Sequence, residues 1–415
     1  MMFFLDLFII ICGGVLINFL FSKIKVPALI GYLLLGILIN AVGLIDSNII
    51  AISPYIRKIA LVIILIKAGL SLDISDLKKV GRPAILMSFV PAVTEMCIVG
   101  VIAPLLFNIT YTESFLLGAV LGAVSPAVVI PMMTKLMGEK VGTKKGIPQL
   151  ILAGSSIDDI VMIVFYQAFI SIEAGGTINA MTFANIGFAI VSGVAVGIGL
   201  GFLISYLFKK VDINMKRGLK FLLILAISLG LVALEEFLAK WFIFSSLLAV
   251  ITMCIVIRIK DKERAERLAF RTSKVWIPAE MFLFFLVGAS IKVEYATKFF
   301  LPALALVAIS LTVRSLAVSG CLIKTNLNVK EKLFTVISYL PKATVQASIG
   351  GGLLDLGNKL AQSYAPNANI VIAAGTIVLS VSVLSILIST PISSLTMNLT
   401  YDKLLTRDDS NNNYQ

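Results

Sequence analysis

Two adjacent carboxylates, Asp158 and Asp159, sit in the middle of an otherwise apolar stretch, IPQLILAGSSIDDIVMIVFYQAFIS, over Ile147–Ser171. A charge at the centre of a bilayer costs about 2.5–3.5 kcal/mol on the insertion scale, so a pair there implies a compensating use. In a low-dielectric cavity the two cannot both stay ionised without a cation or a basic partner. Protons and a metal cation therefore compete for one place, with Asp159 and Asp158 as the candidate ligands. Alkali cations prefer oxygen, which carboxylates and serine hydroxyls supply, and Ser155 and Ser125 are the candidate hydroxyls. Such competition suffices for exchange: the cation binds the deprotonated site, proton uptake releases it, and a conformational change carries either form across.

The alternative for the pair is a cap at the membrane surface. A helix beginning at Ile160 would leave about a dozen apolar residues before Glu173, fewer than the roughly 20 that a bilayer requires. The aspartates are therefore expected inside a spanning helix, where Gly154, Ser155 and Ser156 permit close packing.

Elements elsewhere must position this pair. Proline removes a backbone donor and disrupts the preceding turn, so Pro126 with Pro131, and separately Pro341, predict unwound segments inside two spanning helices. The half-helix ends carry partial charges, and Lys342, within the second break, is placed to neutralise carbonyl ends or an aspartate. Glu95 and Arg314 lie deep in two further apolar runs and are candidates for a charge-compensating or purely structural pair. Apolar runs predict thirteen spans, near 3–22, 27–43, 55–72, 83–106, 113–137, 147–172, 181–208, 218–238, 242–258, 275–292, 299–323, 330–354 and 369–397. Spans one to six and eight to thirteen match in kind. KAGLSLDISDLKK answers LVGASIKVEYATK, Glu95 answers Arg314, and SPAVVIP answers LPKATVQ. With the seventh span as connector, the second unit of six is inverted in the membrane.

Composition agrees. The chain has 415 residues, is 59% hydrophobic and only 14% charged, and its mean hydropathy is +1.01, outside the range of soluble domains. Most basic residues fall in short segments between apolar runs, which accounts for the +12 formal charge by membrane topology and argues against nucleic acid. With the N-terminus outside, 26 of the 35 lysines and arginines fall in inward segments and 6 in outward ones, so the termini are expected N-out and C-in. Phe3–Ser22 reads as a retained helix, without the basic leader and cleavage site of a signal peptide. The four cysteines, Cys12, Cys97, Cys254 and Cys321, lie in apolar runs without CxxC spacing, which indicates neither a disulfide framework nor zinc. The chain has no histidine, so any response between about pH 5 and 9 belongs to carboxylates or lysines. With no phosphate loop and no nucleophile arranged with a base, an enzyme is not expected, and no cofactor is.

IKVPALIGYLLLGILI, ILIKAGLSLD, LGAVSPAVVIPMM, KGIPQLILAGSSIDDI and VKEKLFTVISYLPKATVQASIG together resemble the NHA group of cation/proton antiporters, within the cation:proton antiporter superfamily. The likeness covers nearly the whole chain, which is read as a bacterial member in the inner or plasma membrane. It implies an all-α membrane fold of two inverted six-helix repeats with two broken, crossing helices. It further implies a homodimer in membrane lipid that exchanges Na⁺ or Li⁺ for H⁺. Residues 1–80 and 218–298 would form a fixed scaffold, 81–173 and 299–397 a moving core, 174–217 a linker helix and 398–415 a cytoplasmic tail. Carried over by motif, Asp159 is the principal cation ligand and proton carrier and Asp158 its neighbour, while Arg314 and Glu95 occupy positions of a basic partner and a membrane-embedded acid.

Glu280 departs from the family pattern and is expected as a helix-end carboxylate near the cytoplasmic face, and Lys67 as a residue that snorkels from the end of the third span. Two alternatives stand beside Na⁺/H⁺ exchange. A K⁺/H⁺ exchanger or regulated K⁺ efflux pathway is disfavoured because only a short polar tail follows the last span. A sodium-coupled symporter of organic anions would need an organic solute for sodium movement.

Overall fold

In lipid every backbone polar group must be satisfied within the chain, and long apolar segments do so as helices. The structure, a computed structural model, describes residues 2–24, 26–72, 81–175, 180–210, 217–238 and 244–407. In chain order the helices are α1 (Met2–Phe8), continued by a π-helical turn over Ile9–Gly13 into α2 (Gly14–Ile24), α3 (Ala28–Ala41), α4 (Ser47–Ser71), α5 (Arg82–Met87), α6 (Val90–Phe107), α7 (Tyr111–Leu121), α8 (Pro126–Gly138), α9 (Ile147–Gly175) and α10 (Ala180–Lys210). There follow α11 (Arg217–Leu238), α12 (Ser246–Lys260), α13 (Lys262–Ala289), α14 (Val293–Lys298), α15 (Phe300–Cys321), α16 (Val329–Ser338), α17 (Thr344–Ile349), α18 (Gly352–Gln362) and α19 (Ala368–Leu404). Among the described residues the β content is one isolated bridge, Val141 to Arg407. This is a multi-pass membrane protein with an all-helical fold.

The chain divides into two compact units. One comprises Met1–Ser53, Ser75–Ile170 and Phe284–Gln415, the other Pro54–Ile74 and Ser171–Leu283. In the first unit α6 packs on α7 and on α15, and α18 on α19. The middle of α19 is buried although rich in hydroxyls. Ser380, Ser382 and Ser393 each donate back to the carbonyl four residues earlier, which satisfies the hydroxyl without a partner helix. In the second unit α10 packs on α12. Gly193, Gly197 and Gly201 recur every four residues along α10, and a Cβ on them would lie 2.6 Å from Ser245 O, 2.5 Å from Ala249 O and 2.9 Å from Met253 O. Only a glycine stripe admits backbones this close.

Ten described helical stretches are long and apolar enough to cross a membrane. The other three of the thirteen expected spans are the 14-residue α3, the 15-residue α12 and the interrupted twelfth. Several boundaries differ from expectation. The fifth span, expected to unwind around Pro126 and Pro131, is two helices, α7 and α8, separated by Gly122–Ser125, and Pro131 lies inside α8 instead of in the break. The twelfth is three, because Gly350 and Gly351 add a second interruption beyond that at Pro341. The tenth begins at Lys262 rather than near 275, since the charged segment before it is built of good helix formers that hydropathy alone does not register. Glu280 therefore lies well inside α13, where it interacts electrostatically with Lys67 of α4, both within the second unit, which corrects its reading as a helix-end carboxylate. The acid-and-lysine segment 73–80, the start of the ninth span at 242–243 and the tail from 408 lie outside the described residues.

Candidate ion-exchange site

The site grows from the two proline breaks. Ser125 precedes α8 as its N-cap residue with Pro126 at N1, a place where a missing N–H costs nothing. After α16 the chain is non-helical over 340–343, and Pro341 stands in that stretch. The two interruptions meet: Ser125 N–H donates to Pro341 O at 2.9 Å. Ser389 and Thr390 of α19 hold the second break from behind. Lys342 N–H donates to Ser389 Oγ at 3.2 Å, and Thr390 Oγ1 donates to Lys342 O.

The end of α7 leaves carbonyls without helical partners, and side chains from α15, the second break and α17 supply donors to them. Arg314 Nη1 donates to Gly122 O at 2.5 Å. Lys342 Nζ donates to Leu121 O at 2.6 Å. Gln346 Nε2 donates to Val120 O and to Ala123 O, both at 3.0 Å.

The charges form a chain. Arg314 Nη2 donates to Asp158 Oδ2 at 2.6 Å and its Nη1 to Glu95 Oε2 at 2.6 Å, while its Nε donates to Tyr339 O at 2.7 Å. Lys342 Nζ donates to the same Glu95 Oε2 at 2.7 Å. Asp158 also accepts from Val124 N–H at 3.4 Å. Glu95, Arg314, Asp158 and Lys342 are all within 1% of full burial. Burial of such charges is tolerable only because every one is paired and hydrogen-bonded.

Asp159 differs from its neighbour. It is 5% exposed, and its Oδ1 is buried without a hydrogen-bond partner. Ser125 Oγ, Thr344 Oγ1 and Gln346 Oε1 are buried and unpartnered in the same way. Each such group costs about 1–3 kcal/mol unless something binds it. These are oxygen donors, the ligand type that a hard monovalent cation takes. Ser155 is buried one turn before Asp159, but its hydroxyl donates to Leu152 O of its own helix at 3.3 Å.

The structure thus brings Asp158, Arg314, Glu95 and Lys342 into one network and joins Ser125 to Pro341. Lys342 reaches carbonyl ends, as the sequence suggested, but its carboxylate partner is Glu95 and not an aspartate. Gln346, Ser389 and Thr390 were not singled out from the sequence. Gln346 closes the LPKATVQ motif that the sequence marked only for its break, and a polar residue just after that break is the signal that could have found it.

The family described as transmembrane sodium/hydrogen exchanger matches residues 7–394. The chain is 34% identical over 421 residues to sodium/hydrogen exchanger 9B2 of Xenopus tropicalis, covering 96% of this chain and 73% of that one. It is 33% identical over 399 residues to sodium/hydrogen exchanger 9B2 of Homo sapiens, covering 93% and 71%. Its fold matches the structure of the sodium proton antiporter MjNhaP1 from Methanocaldococcus jannaschii at pH 8 with a TM-score of 0.83, over 97% of this chain and 99% of that chain, at 21% identity. These two relatives are vertebrate and the solved structure archaeal, so they lend nothing to the reading of the chain as a bacterial member.

Proposed function

The chain belongs to the sodium/hydrogen exchanger family, and we propose that it exchanges Na⁺ for H⁺ at Asp159. The observation that carries this reading is the charge balance at the crossing. Three buried carboxylates, Glu95, Asp158 and Asp159, stand against two buried cations, Arg314 and Lys342. Glu95 and Asp158 are ion-paired at 2.6–2.7 Å. One negative charge remains, and it belongs to Asp159: Glu95 Oε1 also lacks a hydrogen-bond partner, but Glu95 and Asp158 are ion-paired, whereas Asp159 is not. A single Na⁺ or a single H⁺ neutralises it, and the two cannot do so together.

Asp158 acts as an anchor in this scheme. Held by Arg314 and the Val124 amide, it fixes α9 to the first break and so orients Asp159 next to it in the chain. Arginine remains charged throughout the cycle, so Arg314 holds the frame and carries no proton. All of these residues fall within 81–173 and 299–397, which supports the reading of those stretches as the moving core that carries the loaded site between the two faces.

The experiment is reconstitution of the whole protein in liposomes containing a pH dye, with Na⁺, Li⁺ or K⁺ added in turn. Wild type moves protons in answer to Na⁺, and Asp159→Asn does not. Unchanged Na⁺-driven proton movement in Asp159→Asn defeats the proposal.

A further inference from the structure

The carbonyl end of α7 is served by two cations and one neutral amide. Arg314 takes Gly122 O, Lys342 takes Leu121 O and reaches Ala123 O more weakly at 3.4 Å, and both also hold carboxylates. Gln346, fully buried on α17, spans Val120 O and Ala123 O, the carbonyls on either side of that pair. Its Nε2 also lies 3.5 Å from Leu121 O. Carbonyl acceptors on one side fix the amide orientation, so Oε1 turns away from them, and it is buried without a partner.

A helix C-terminus carries partial negative charge and attracts a cation. A third lysine would satisfy the same carbonyls, but it would bring three cations against three carboxylates and remove the single negative charge that the exchanged ion neutralises. A glutamine supplies the donors and leaves that charge in place.

Resting on the reading of Asp159 given above, we propose that Gln346 is a positioning residue of the exchange site, a neutral clamp that holds the carbonyl end of α7 without altering the site's charge balance. With the clamp in place, residues 123–125, which bring Val124 N–H to Asp158 and Ser125 to Pro341, keep their position while the ion changes.

The test uses the whole protein, purified and reconstituted, with wild type, Asp159→Asn, Gln346→Met and Gln346→Lys compared by Na⁺-driven proton movement and by the rise in melting temperature that Na⁺ produces. Gln346→Met loses the donors at similar volume, and its apparent KM for Na⁺ rises about tenfold, the loss of roughly one hydrogen bond's worth of positioning, while the maximal rate changes less. Gln346→Lys keeps the donors and melts near wild type without Na⁺, yet gains no stability from Na⁺ and does not exchange. A role limited to filling space lowers the melting temperature of Gln346→Met and leaves its KM alone, and that result overturns the proposal. Stabilisation of Gln346→Lys by Na⁺ to the wild-type extent overturns it as well, and decides the matter even where Gln346→Met does not fold. Asp159→Asn separates the two readings. If it still exchanges, the assignment of Asp159 fails, whereas an inactive Asp159→Asn beside an unchanged Gln346→Met defeats only the role of Gln346.

Discussion

At the scale of single residues, Glu95 holds two cations with one oxygen. Its Oε2 accepts from both Arg314 and Lys342, at 2.6 and 2.7 Å. Removing one partner of a buried pair leaves an uncompensated charge, which costs about 3–5 kcal/mol. Glu95→Gln is therefore expected to destabilise the protein by about that amount, measured by the fall in unfolding free energy or in melting temperature. It also leaves two cations against two carboxylates, so Na⁺ should no longer stabilise the variant. Arg314→Gln alone is expected to be at least as damaging, since it strips both Glu95 and Asp158. The double variant should lose less than the two single losses added together, because each residue is the other's compensation. Strict additivity in that cycle contradicts the pairing.

At the scale of elements, the approach of α9 to the second break depends on Gly154. A Cβ there would lie 1.8 Å from Tyr339 Oη, and Tyr339 is fully buried with its carbonyl held by Arg314. Gly154→Ala forces α9 away from the residues that precede Pro341, and overpacking of this kind costs about 1–3 kcal/mol. The expected outcome is a lower melting temperature together with a weakened response to Na⁺. Gly175→Ala, at the far end of the same helix with open space around it, should behave as wild type and serves as the control. The sequence made the breaks legible because proline acts locally: the chain is interrupted at Pro126 and Pro341, whereas Pro131, expected in the same break as Pro126, is accommodated inside α8. The start of α13 was not legible. A hydropathy criterion finds the part of a helix that meets lipid, whereas Lys262–Lys274 is helical for reasons of propensity and capping that such a criterion ignores.

At the scale of the whole molecule, the apolar surfeit, the run of spanning helices and the aspartate pair followed from the energetics of putting polar groups in lipid, which act on composition and on single residues. Which charges pair with which did not follow. Arg314 is 156 positions from Asp158 and Lys342 is 247 from Glu95, and nothing local to either residue chooses between Glu95 and an aspartate as the partner of Lys342. That choice is made by the meeting of the two breaks at Ser125 and Pro341, a tertiary fact. Its consequence, on the reading proposed above, is that Asp159 alone among the three carboxylates is left for the transported ion. Competition at one carboxylate has a definite sign. At pH values where Asp159 is largely protonated, each unit of falling pH removes tenfold of the deprotonated form, so the apparent Kd for Na⁺ rises about tenfold per unit with the same number of sites. At higher pH the Kd levels off. The direct measurement is a Na⁺ titration of the purified protein over a range of pH, followed by the rise in melting temperature and by proton release into a weakly buffered medium. A Kd that climbs as pH falls, with Na⁺ binding releasing protons from wild type and none from Asp159→Asn, is the predicted result. A Kd independent of pH, or Na⁺ binding that releases no proton at any pH, contradicts it.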